Sequence, residues 1–284
     1  MNRLLVKIYS LVPENLKQKI GQSQALKDLR KMLLYTPKGF KIAKVLVNHR
    51  YGEHHVNFNF VASIKIASKA KELGVENTLL RNSFELINKF KTNRNDLTVL
   101  DVGSNFGYLG AVWADSVAAN GKVLAFEPNR NLFQTIEKTI EANTKFSQNF
   151  EVYNLAVGSK KGVVHLNASA FSSNTEDMSA AIEAYDVDMV KLDDFVKHHD
   201  IAQVDLLKID VDGIELDILK GAEHILKENT AIIIVETNND QRIVNHFRAL
   251  DYFIYNMKLD LYQDSQTLPL NIFCVPKKLD KNVV

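Results

Sequence analysis

Val99-Leu100-Asp101-Val102-Gly103-Ser104-Asn105-Phe106-Gly107 is the stretch on which the fold turns. A short apolar run closes on an acidic residue, bends through two glycines and passes directly into the helical pattern that begins at Tyr108. Glycine at 103 and 107 permits a tight turn and close backbone approach, and the amides at the start of the following helix offer donors to a ligand carboxylate. In an open α/β sheet the ligand crevice lies beyond the carboxyl ends of the strands, where the connections diverge. The loop therefore predicts both the layout of the chain and the place of a binding site.

Downstream of Leu97, short apolar runs alternate with helical patterns, the signature of a mostly parallel sheet covered by helices on both faces. Residues 98–102 read as a first strand, 108–119 as a helix, 122–127 as a second strand entered through Asn120-Gly121, and 131–143 as a helix. Residues 151–157 read as a third strand, the turn at 158–162 leads to an added hairpin strand over 163–166, and 169–179 is polar and loop-like. The runs 204–209 and 231–236 are buried strands that close on carboxylates, Asp210 and Glu236. A helix is expected over 241–250, then a closing pair of strands over 252–255 and 271–275 that brings an antiparallel strand near the C-terminus. Upstream, 60–73 and 78–90 look helical, so residues 1–95 read as a basic, mainly helical extension of the α/β domain at 96–284.

The sign of the charge in the glycine loop narrows its ligand. A dinucleotide brings a pyrophosphate to such a turn, typically within G-x-G-x-x-G, whereas the spacing here is G-x-x-x-G and Asp101 ends the strand. A carboxylate there repels pyrophosphate and favours the cationic amino group and sulfonium of S-adenosylmethionine. Glu127, twenty residues after Gly107, closes the second strand where an acidic side chain accepts hydrogen bonds from both ribose hydroxyls. Leu155 and Ala156, at the end of the third strand, suit an adenine ring.

Three motifs carry a resemblance: residues 100–108 (Leu-Asp-Val-Gly-Ser-Asn-Phe-Gly-Tyr), 125–128 (Ala-Phe-Glu-Pro) and 207–215 (Leu-Lys-Ile-Asp-Val-Asp-Gly-Ile-Glu). Together they resemble the FkbM-type class of S-adenosylmethionine-dependent methyltransferases, the third motif being the most specific; Asp212 stands where that family usually has glutamate and Ser104 where it usually has alanine. The resemblance spans about half the chain and implies a Rossmann-like class I methyltransferase sheet, S-adenosylmethionine as cofactor, and methyl transfer most often to a hydroxyl of a sugar, glycan or small metabolite. The expected cofactor contacts are Asp101, Gly103, Ser104, Asn105, Gly107, Glu127, Leu155, Ala156 and Asp210. A hydroxyl acceptor needs a base, and Asp210 and Glu236, at strand ends on the pocket mouth, are the catalytic candidates. Asp212 and Glu215 are the candidate substrate contacts, Glu215 being suited first to stabilising the helix it begins and second to touching a substrate. Asp210, Asp212, Glu236 and Asn238 form an oxygen-rich set of the kind that holds magnesium, yet no metal is expected. The histidines show no ligand spacing, and Trp113 reads as core.

Composition bounds the remaining classes. The single cysteine, Cys274, makes no intramolecular disulfide, no apolar run approaches the roughly 20 residues that cross a bilayer, and the first twelve residues lack a signal-peptide pattern. The expectation is a cytoplasmic protein, soluble or at most peripheral to a membrane. A net charge of +1 conceals an asymmetry: residues 1–50 carry eleven Lys and Arg against Glu14 and Asp28, a net of +9, which leaves −8 for the remainder. With Leu4, Leu5, Ile8, Leu11 and Val12 interleaved, the segment suits either an anionic membrane surface or polyanion, or a solvated helical face packed on its own domain. Nucleic acid is not the expected acceptor, since the chain has neither the Asn/Asp-Pro-Pro-Tyr tetrad nor an aromatic-rich basic motif. A nicotinamide oxidoreductase is disfavoured by Asp101, and a binding module without chemistry stands as the rival of a different class. Acceptor contacts are expected from 51–95 and 169–188, outside the shared core.

Overall fold

A computed structural model describes residues 2–26, 32–36, 39–92, 94–169, 182–228 and 230–280. The central sheet has seven strands: β5 (Thr98–Val102), β6 (Lys122–Phe126), β7 (Phe150–Tyr153), β11 (Leu206–Ile209), β12 (Ile232–Glu236), β13 (Tyr252–Tyr255) and β14 (Asn271–Pro276). Their order is β13-β14-β12-β11-β5-β6-β7. β14 runs antiparallel to both neighbours, and the other pairings are parallel. The order reverses at β5, so the crevice opens beside the glycine loop. This is a Rossmann-like, mostly parallel sheet, with its antiparallel strand near the C-terminus.

Period-two alternation distributes each strand between two cores. Val99, Val123, Leu206, Ile232 and Phe273 enter one apolar cluster, while Leu100, Leu124, Leu207, Ile233 and Cys274 enter the other. Asp101 and Lys208 are register partners on β5 and β11, so both project on the side of the first cluster. That cluster also takes in Val6, Val45, Phe58 and Leu80 from the N-terminal extension. The extension is thus the cover of one face of the sheet, on the side where Asp101 and Lys208 point.

Within the extension the chain forms α1 (Arg3–Leu11), α2 (Glu14–Gln22), α3 (Ile64–Glu72) and α4 (Asn77–Phe90). Short strands β1 (Tyr35–Thr36) and β2 (Gly39–Phe40) precede a hairpin of β3 (Ile42–Tyr51) and β4 (His54–Ser63). Phe60 to Ser63, expected to begin a helix, instead end β4; Ser63 then caps α3, its hydroxyl accepting from the Ile66 amide at 3.3 Å. The hairpin is held by Asn143, whose side-chain oxygen accepts from the Asn59 amide at 2.8 Å and whose amide group donates to the Asn59 carbonyl at 2.7 Å.

Three other expectations change. The helix after the glycine loop, α5, covers Tyr108–Ala114 and stops short of 119; Ser116 turns its hydroxyl back on the Val112 carbonyl at 2.6 Å. The third strand divides at Asn154, whose amide group donates to the carbonyls of Glu127 and Pro128, both at 2.9 Å. Beyond that break β8 (Ala156–Val157) joins a separate sheet ordered β8-β10-β9, where β9 (Gly162–Ser169) pairs with β10 (Ile182–Val190) rather than with the strand before it. The polar stretch at 169–179 lies outside the described residues from 170 onward. Trp113 is core, fully buried with its indole N–H donating to Ser83 Oγ at 3.2 Å.

Candidate active site

The glycine loop is pressed onto the end of β11. Gly103 has φ +73°, and a Cβ there would lie 1.9 Å from the carbonyl oxygen of Asp210. Gly107, at φ +72°, approaches Ile136 of α6 (Arg130–Glu141) in the same way, at 3.0 Å. The amides of the loop itself are largely used within the protein: Gly103 and Ser104 donate to the Phe126 carbonyl at 3.1 and 3.2 Å, Gly107 to the Ser104 carbonyl at 2.7 Å, and Asn105 to Glu127 Oε2 at 2.7 Å. Buried amides demand partners, and a loop this tight supplies its own.

Glu127 is 5% exposed and takes a second amide, that of Asn129, on Oε1 at 2.9 Å. Burial pushes its carboxyl up to about 7 despite these two donors. Each carboxylate oxygen keeps a further acceptor site, so two hydroxyls can still be received. Leu155 packs against the second apolar cluster, and Ala156 joins Tyr185 and Val187 in the small sheet that flanks this end of the crevice.

Asp101 has no exposed surface, and its carboxylate makes no close hydrogen bond, being approached only at longer range by the Lys208 ammonium and the Gly110 amide. Lys208 Nζ lies 3.5 Å from Asp101 Oδ1 and 3.5 Å from Asp210 Oδ2, and donates to the Gly103 carbonyl at 2.8 Å. Burial opposes its charge, but Asp101, Asp210 and Glu76 together outweigh that and hold the ammonium protonated. Complete burial pushes the Asp101 carboxyl up while Lys208 pulls it down. One cation serving several carboxylates leaves the site acidic.

Glu76 supplies a further carboxylate. It precedes α4 in the left-handed region at φ 50°, and its side chain makes no capping bond to that helix. Its surface is open to solvent, yet the surrounding protein desolvates it enough to raise its carboxyl, with Lys208 opposing. A group reached by solvent but walled by protein is what lines a concave site. Asn105, Asp212 and Asn238 are also left-handed, at φ 54°, 58° and 46°. Asparagine and aspartate tolerate that region in tight turns.

Asp210 and Glu236 meet at the mouth. Glu236 is pushed up to about 7, first by burial and then by the charge and hydrogen bond of Asp210. Asn238 steadies the pair, donating to Glu236 Oε2 at 3.3 Å and to Glu215 Oε1 at 2.9 Å. Glu215 faces inward, toward the loop that precedes its helix. It is 2% exposed, and its carboxylate accepts the amides of Val211 and Gly213 at 3.0 to 3.2 Å, so it braces the loop after β11 from the start of α7 (Glu215–Lys220). Asp212 stands exposed on the outer side of that loop. Among the described residues no group of three or more His, Cys, Asp or Glu side chains has the arrangement of a metal site.

The methyltransferase FkbM domain pattern matches residues 101–258, more than half of the chain. The chain belongs to the FkbM methyltransferase family. It is similar to the hexuronic acid methyltransferase AglP of Haloferax volcanii, with 25% identity over 139 residues, 49% of this chain and 55% of the relative. The chain thus spans about half the length of that curated relative. Among solved structures it is similar to methyltransferase FkbM from Methylobacillus flagellatus KT, at 16% identity and a TM-score of 0.45 over 63% of this chain and 43% of that one. It is also similar to a SAM-dependent O-methyltransferase from Thermotoga maritima, at 14% identity and a TM-score of 0.42 over 82% and 77% of the two chains.

In this FkbM methyltransferase two site residues carried no assigned role in the sequence reading. Lys208 lay inside the third motif, and an isolated lysine within an apolar strand was the signal for a paired, buried cation. Glu76 follows Gly74-Val75 between two helical patterns, and nothing local reveals that the connection crosses the crevice.

Proposed function

We propose that the protein methylates a hydroxyl oxygen of a sugar, glycan or other small hydroxylated metabolite, using S-adenosylmethionine. When bound, that cofactor supplies a methyl group made electrophilic by its sulfonium. The fit rests on the buried carboxylate of Asp101, with Glu76 and Asp210 about the same lysine, an environment suited to a cationic amino group. Gly103, Ser104, Asn105 and Gly107 shape the floor, Glu127 offers acceptors to ribose hydroxyls, and Leu155 and Ala156 lie toward the adenine end.

The observation that carries the chemistry is the Asp210–Glu236 pair. Two carboxyls in contact do not both ionise readily, so Glu236 is held near neutrality and can take the proton of an acceptor hydroxyl at working pH. Asp210, beside Lys208, shares that proton and orients the hydroxyl. Asp212, on the exposed side of the loop, is placed to meet an acceptor of some size. A sugar acceptor draws support from the likeness to a hexuronic acid methyltransferase.

Isothermal calorimetry with S-adenosylmethionine and with NAD, followed by a methyl-transfer screen over uronic acids, neutral sugars and small hydroxylated metabolites, tests the reading. Asp210→Asn is expected to lower turnover by at least about 100-fold while changing cofactor affinity by less than about tenfold. Binding of NAD alone, or unchanged turnover in this variant, would overturn the assignment.

A further inference from the structure

The N-terminal extension presents a second surface, remote in kind from methyl transfer. Helix α1 buries Val6 at 2% exposure, yet Leu4, Ile8 and Leu11 are 70%, 52% and 82% exposed. At 3.6 residues per turn these three positions fall on one side of the helix, and Lys7 flanks them. Lys7 also lines a cavity of about 280 Å³ with Lys44 and Lys71, over a floor that includes Val45 and Leu46. Among the described residues no acidic side chain lines that cavity. Leu46, 52% exposed on β3, continues the apolar surface beside the lysines. The surrounding segment, residues 1–50, carries the net +9.

We propose that this face docks on an anionic lipid bilayer, Lys7, Lys44 and Lys71 engaging lipid phosphates while Leu4, Ile8 and Leu11 enter the headgroup region. The pairing of features selects the occupant. Lysines alone fit any polyanion, but a nucleic acid gives no apolar shelter to an adjacent leucine stripe, whereas the boundary between headgroups and acyl chains takes both at once. A second copy of the chain would bring two lysine clusters together across a twofold axis, which repel. Among the described residues no helix is long and apolar enough to cross a membrane, so the contact is a peripheral one.

Sedimentation of the full chain with phosphatidylcholine vesicles, with and without phosphatidylglycerol, tests the proposal. Binding is expected only with the anionic lipid and weakens as salt is raised. Lys44→Gln and Lys71→Gln should each lower the partition coefficient about fivefold. The double variant Leu4→Ser/Ile8→Ser should lower it at least about tenfold with the lysines intact, its fold verified by circular dichroism and an unchanged melting curve. Equal binding to neutral vesicles, no binding to either, wild-type binding by the variants, a dimer that the leucine variant dissolves, or preference for an oligonucleotide over the anionic vesicle would each overturn it.

Discussion

Gly103 shows how little freedom the site leaves. Its φ of +73° and the 1.9 Å approach of a hypothetical Cβ to the Asp210 carbonyl mean that even a methyl group must push the glycine loop off β11. Gly103→Ala is expected to cost at least about 2 kcal/mol of stability, combining left-handed strain with displaced backbone, and urea denaturation measures it. Neither number is visible in sequence, yet the need for glycine is, because the turn follows a buried strand at once. Glu236 gives the complementary case. A carboxyl held at about 7 is protonated below neutrality, so turnover should rise as pH increases through about 7 and then level off. Glu236→Gln should flatten that limb; a limb unchanged in the variant would assign the titration to another group. Its position at a strand end was legible, whereas its contact with Asp210 depends on β11 and β12 lying side by side.

Among the elements, the strands were read most readily and the hairpin least. Buried parallel strands announce themselves as continuous apolar runs, as at 231–236. In β3 the alternation of buried Val45 and Val47 with exposed Leu46 is blurred because the outward residue is also apolar. The turn at Gly52-Glu53, with Tyr51 registered opposite His54, was the available signal. What fastens α4 against the sheet was beyond sequence. Lys91, just after that helix, pairs with Asp205 at 2.8 Å and donates to the Thr230 carbonyl at 2.9 Å, while Asp205 Oδ2 accepts the Thr98 amide at 3.0 Å. Burial pushes the Lys91 ammonium down, with Asp205 opposing. Lys91→Met leaves Asp205 buried without its cation, and a loss of about 3 kcal/mol is expected in the same denaturation assay. Adding Asp205→Leu should recover part of it. A single variant as stable as the wild type would show that the clip contributes nothing.

For the molecule as a whole, the acidic site sets a dependence of stability on pH. Glu127 is held at about 7 against an ordinary value of 4.5, so the folded state binds a proton more readily than the unfolded chain. The stabilisation is complete below about 4.5 and is lost as pH rises through about 7, opposite in sign to a salt-bridged carboxylate. The melting temperature should therefore fall between pH 6 and pH 8, and Glu127→Gln should make that fall shallower; a melting temperature that rises over the interval would contradict it. The same architecture explains why the extension matters to the site. Period-two alternation sends Asp101 and Lys208 to the face that the extension covers, so the connection bearing Glu76 closes over them.

The sequence by itself determined the α/β order, the glycine turn, the acidic strand ends and the family, because each follows from local periodicity, backbone permissiveness or a contiguous motif. The tertiary structure alone decided that one lysine is shared among three carboxylates, that Glu215 braces a loop, and that the N-terminal segment covers the sheet's face with its leucines turned outward. The lysine's reach to Asp101 and Glu76 spans more than 100 positions, and the others are choices of which way a side chain or an element turns once the chain is packed. A local pattern restricts such outcomes without selecting one, since packing against the rest of the chain supplies the energy that selects.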